Sequence, residues 1–109
     1  MVKSRDDVPI RQQILEKGIV ATMEDRNKSY GDPHIQLELS GAIKDLCRMF
    51  HANHSPRLIS HAEWDSLDNV IQKLSRVVVG PEPGEDSYVD GAVYFAIAGE
   101  CAARAKGQP

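Results

Sequence analysis

The chain has 109 residues, room for one domain with one core but not for two. Hydrophobic residues make up 41% and charged residues 27%, an ordinary globular composition that excludes a disordered chain. The formal net charge is -3 and no Lys or Arg cluster stands apart from acidic neighbours, which excludes duplex nucleic acid as the main partner.

The pattern predicts a first helix from Asp7 to about Asn27, with Pro9 in the first turn, where a missing N–H costs nothing. Ile10, Ile14, Leu15, Ile19 and Met23 form its apolar stripe. Gly18 weakens it by ~1 kcal/mol and marks a close helix crossing. Lys28-Ser-Tyr-Gly-Asp-Pro33 is turn chemistry. Asp32 then reads as the N-cap of a second helix and Pro33 as its first residue. Its stripe is Ile35, Leu39, Ala42, Ile43, Leu46 and Phe50, and Ala52 to Ile59 is expected to be a loop.

Ser60-His-Ala-Glu63 is a capping box opening the third helix, each end satisfying the other's backbone N–H. Trp64, Leu67, Ile71, Leu74 and Val78 follow at steps of three and four, so Val77 to Val79 continues the helix rather than starting a strand. Gly80-Pro-Glu-Pro-Gly84 ends it. The fourth helix is expected from about Asp86 to Ala105. Ala92, Ala96, Gly99 and Ala103 stand there beside Val89, Val93 and Ile97, and such small residues let another helix come close. This helix is apolar on more than one face, as a central or interface helix would be. The expectation is an all-α, four-helix bundle: one helical domain over residues 7–105, frayed at 1–6 and 106–109, and oligomeric.

No run reaches the ~18 apolar residues of a membrane span. Lys3 and Arg5 precede no apolar stretch, so no export signal is expected. Cys47 and Cys101 then read as reduced thiols of a cytoplasmic protein.

Three polar groupings exceed what a plain bundle needs: the Asn27 to Pro33 turn, Lys73 with Arg76, and Asp86 with Asp90. Lys73 and Arg76, at i,i+3, are able to reach one phosphate or diphosphate. They are equally able to pair with Asp86 and Asp90 across the short connection between the third and fourth helices. Asp86 and Asp90, at i,i+4, are able to share a divalent cation, or simply to suit a helix N-terminus. Cys47, His51, His54 and His61 are zinc-type ligands, but their spacing matches no familiar zinc module and crosses a loop.

Glu24-Asp-Arg-Asn-Lys-Ser-Tyr-Gly-Asp-Pro33, Lys73-Leu-Ser-Arg76 and Asp86-Ser-Tyr-Val-Asp90 followed by Tyr94 resemble a group of small phage-encoded domains of unassigned function. Those are similar in turn to the nucleotide modification associated domain and, more distantly, to MazG-like all-α nucleoside triphosphate pyrophosphohydrolases. The likeness runs over roughly residues 10 to 104. It implies a bundle that dimerises or assembles further, with a nucleotide pocket between helices. In the MazG-like enzymes acidic residues on two helices hold magnesium against the triphosphate, and Asp86 and Asp90 match the second helix's share.

The first acidic pair of that pattern has no good counterpart here, and Gln72 stands where related domains tend to carry an acid. The resemblance therefore implies a phosphorylated nucleotide held or sequestered without turnover, including a cyclic or ADP-ribose-derived immune signal of a phage's host. Lys28, Tyr30, Asp32, Lys73, Arg76 and Tyr94 would form the site: tyrosines for base or ribose, cations for phosphate. A magnesium-dependent pyrophosphohydrolase using Asp86 and Asp90 is the alternative, and a pure interaction module is another.

Overall fold

The computed structural model describes residues 7–21, 32–82 and 84–107. Four helices follow in order: α1 (Ile10–Ala21), α2 (Pro33–His54), α3 (His61–Val79) and α4 (Glu85–Ala105). The described residues contain no strand. None of their helices is long and apolar enough to cross a membrane.

The helix starts obey local chemistry. Asp32 caps α2, its carboxylate accepting from the His34 N–H at 2.9 Å, and Pro33 is the first helical residue. Helix α2 runs to His54, beyond the loop boundary expected at Ala52, and ends as the Ser55 N–H bonds the His51 carbonyl at 3.0 Å. Ser60 caps α3 by accepting from the Glu63 N–H at 3.1 Å. The return half of the capping box does not form, because Arg57 takes the Glu63 carboxylate in two hydrogen bonds of 2.6 and 3.0 Å. Val77 to Val79 are helical, as their place in the stripe predicts. Helix α1 begins at Ile10 rather than Asp7, the Gln12 and Gln13 N–H groups bonding the Pro9 carbonyl. Its expected end near Asn27 lies outside the described residues.

Helix α3 is the centre of the assembly. Gln36 bonds the Gln72 carbonyl while Arg48 reaches Asp68 and Trp64, so α2 runs antiparallel to α3. Lys73 meets Asp90 on α3's other flank, where α4 packs. Among the described residues α2 does not touch α4, and α1 touches no other helix. Three helices therefore lie side by side as a layer. The radius of gyration is 18.2 Å, against about 13 Å for a compact chain of this length.

This layer hides little apolar surface. Ile71 and Ala98 are the buried apolar residues among those described, and six buried residues are polar: Gln36, Ser40, Glu63, Ser66, Ser75 and Ser87. The stripe of α2 expected in the core is instead turned outward, with Ile35, Leu46 and Phe50 each more than half exposed. The reason is angular. Gln36 and Ser40 face α3, and at about 100° per residue the stripe is centred roughly 90° around the helix from them.

Candidate functional site

A concavity lies between α3 and α4, an open hollow of about 210 Å³. Val70, Leu74 and Val77 wall it from α3, Tyr88, Ala92 and Phe95 from α4. These side chains converge because apolar residues recur at steps of three, four and seven along both helices. Lys73 is the one charged residue of the lining. Its side chain is 16% exposed, and its ammonium stands 3.4 Å from Asp90 Oδ2.

Apolar walls exclude water from one side of the Lys73 ammonium, so the charge requires an anionic neighbour. Asp90 supplies it from the rim, where half of its own side chain is in solvent. The pair is open to solvent on the Asp90 side, so another anion is able to approach the Lys73 ammonium in place of that carboxylate. Gly91 lies against this lysine, and a Cβ built on it would sit 3.6 Å from Lys73 Cβ.

The other residues singled out from sequence fall in different places. Lys28 and Tyr30 lie outside the described residues. Asp32 is exposed and engaged as the α2 cap. Arg76 and Tyr94 are half-buried, and neither lines the hollow. Lys73 is thus separated from Arg76 by about 60° around α3, and only Lys73 reaches the cavity. Asp86 and Asp90 are both exposed at the start of α4. Among the described residues no three His, Cys, Asp or Glu side chains converge as a metal site. The zinc-type residues disperse: His51 Nε2 lies 2.7 Å from the Arg57 carbonyl and its ring meets Trp64 edge-on, while His54 stacks obliquely near Phe50.

Sequence reasoning missed the aromatic wall of Tyr88 and Phe95, whose i,i+7 spacing was the available signal. It also missed the clamp at the far end of α3. Arg48 forks onto Asp68 in two bonds of 2.9 Å with its guanidinium 4.5 Å from the Trp64 ring centre. These hydrogen bonds hold the Asp68 carboxyl below its usual range, and Arg57 does the same to Glu63. The hydroxyls of Ser66 and Ser75 bond carbonyls of their own helix, and the buried Ser40 Oγ has no hydrogen-bond partner among the described residues. A second depression, around His34, Glu38 and Asp45, is lined by α2 alone and is an outer surface of that helix. No protein-family model, curated protein or solved structure matches this chain.

Proposed function

We propose that the chain binds a phosphorylated nucleotide without turnover, in the hollow between α3 and α4. The observation that supports this is a single cation, Lys73, set in an otherwise apolar and aromatic concavity. A base is a flat apolar body that Tyr88 and Phe95 are suited to hold, and a phosphate exchanges for Asp90 at the Lys73 ammonium.

The test is titration calorimetry against mono-, tri- and cyclic nucleotides and ADP-ribose derivatives, with and without magnesium. Binding is expected to be lost in Lys73→Met, which keeps the side chain's length and removes its charge. No heat from any of these ligands at tens of micromolar would end the reading. Release of diphosphate from a triphosphate, abolished by Asp86→Asn, would replace it with the pyrophosphohydrolase alternative.

One observation favours a second reading, an interaction module. Apart from Lys73 the hollow has no charged lining residue, as an apolar anchor from a partner requires. Under that reading Lys73→Met leaves partner binding intact and no nucleotide raises the melting temperature.

A further inference from the structure

The hollow between α3 and α4 holds a second polar group besides Lys73. Ser87, in the first turn of α4, lines it and is only 4% exposed. Its N–H bonds the Gly84 carbonyl at 3.0 Å, but its hydroxyl has no hydrogen-bond partner among the described residues. Ser66 and Ser75 behave differently, each turning its hydroxyl back onto a carbonyl of α3. A buried hydroxyl without a partner costs free energy, so one that lines a hollow calls for an acceptor inside it.

Lys73 and Ser87 front on the same stretch of the seam. Gly91 and Asp90, which meet Lys73, follow Ser87 by four and three residues and so lie one turn along α4 from it. The two flanks of Ser87 are unlike. At about 100° per residue, Tyr88 and Phe95 lie to one side of it, and Asp86 and Asp90 lie to the other. An anion held by Lys73 and Ser87 therefore has aromatic rings on one side and two exposed carboxylates on the other.

That arrangement limits the charge the hollow accepts. A first phosphoryl group takes the place of Asp90 at the Lys73 ammonium. A second or third finds no further cation in the lining, and meets repulsion from Asp86 and Asp90. Size acts in the same direction. The 210 Å³ hollow is smaller than the about 300–1,000 Å³ of sites for drug-sized ligands, which favours one nucleoside unit over two.

We propose that the hollow selects a nucleoside bearing a single phosphoryl group, held jointly by the Lys73 ammonium and the Ser87 hydroxyl, over di- and triphosphates. This deepens the nucleotide reading and rests on it. The Ser87 O–H donates to one phosphoryl oxygen while the ammonium pairs with another, and no covalent bond changes. A monoester and a cyclic diester share this chemistry.

The test is titration calorimetry of the full chain, without magnesium, against adenosine, guanosine, cytidine and uridine. Each is supplied as bare nucleoside, monophosphate, cyclic monophosphate and triphosphate. A monophosphate or a cyclic monophosphate is expected to bind about tenfold or more tighter than the triphosphate of the same nucleoside. Either form supports the inference, and the tighter of the two names the source of the phosphoryl group. Ser87→Ala should weaken that binding about tenfold, the loss of one hydrogen bond to a charged group, and leave the bare nucleoside's affinity unchanged. The same variant should melt no lower than the native chain, because it removes a hydroxyl that the fold leaves unsatisfied. A triphosphate that binds as tightly as the monophosphate, or binding indifferent to Ser87→Ala, overturns the inference and leaves the nucleotide reading standing. A lowered melting temperature in Ser87→Ala overturns it too, by giving the hydroxyl a structural role. If none of these probes binds, both fall.

Discussion

The two flanks of α3 are built on opposite principles. Toward α2 the seam is polar and directional: Gln36, Ser40 and Ser75 are buried in it, and the Arg48–Asp68 fork with Trp64 closes one end. Toward α4 the seam holds Ser87, Gly91 and Ala98, has the Lys73–Asp90 pair, and opens into an apolar groove. Hydrogen bonds and forked ion pairs fix geometry without needing large area. An apolar groove stabilises nothing until something fills it. The first flank therefore holds the layer in register, and the second leaves open the groove that the proposed ligand would fill.

The largest expected effect strikes the first flank where it is apolar. Ile71 is a rare buried aliphatic residue of the layer and lies on the α2 side of α3. Ile71→Ala should cost about 2–4 kcal/mol, read as a lowered urea midpoint with an unchanged slope. A cost below about 1 kcal/mol would mean that the polar contacts alone hold this seam.

Acid should loosen the same flank next. The folded state holds the Asp68 and Glu63 carboxyls below their usual range through Arg48 and Arg57. The stability they contribute is fully present above the unfolded carboxylate value of about 4, and is lost as pH falls through the lower folded values. Arg48→Met, which keeps contact with Trp64 but offers Asp68 no donor, should flatten that acid limb. An identical acid limb in the variant would assign the loss to other carboxylates.

How much of this was legible follows from the same contrast. Helix ends were readable because each is set by neighbours in sequence: Asp32 with Pro33, Ser60 with Glu63, and Gly80 with Pro81 after α3. The pairing of Lys73 with Asp90 was readable as an alternative, since a short connection folds α4 back along α3. What periodicity could not tell was which stripe meets which neighbour. Ile35, Leu46 and Phe50 recur as a core stripe does, yet α2 meets α3 through Gln36 and Ser40. A stripe records only that a face avoids water, and a second chain serves that need as well as the same chain does. The Ser60 to Glu63 spacing likewise gave no hint that Arg57 would outcompete the capping box for the Glu63 carboxylate.

The smallest effect probes how tight the α4 flank is. Gly91 is helical, half-buried and next to Lys73, and a methyl there would meet Lys73 Cβ at 3.6 Å, an ordinary van der Waals distance. Glycine within a helix costs about 0.5–1 kcal/mol relative to alanine. Gly91→Ala should therefore stabilise the chain by about that amount, read as a higher melting temperature. Gly41→Ala in α2 is its reference, because nothing lies within 4 Å of the added methyl there and only helix propensity changes. An equal gain at both sites means that the α3–α4 seam accommodates the methyl without moving Lys73. A gain at Gly41 with a loss at Gly91 would mean that the two helices pack closer than 3.6 Å allows, and that Lys73 is held to Asp90 by packing as well as charge.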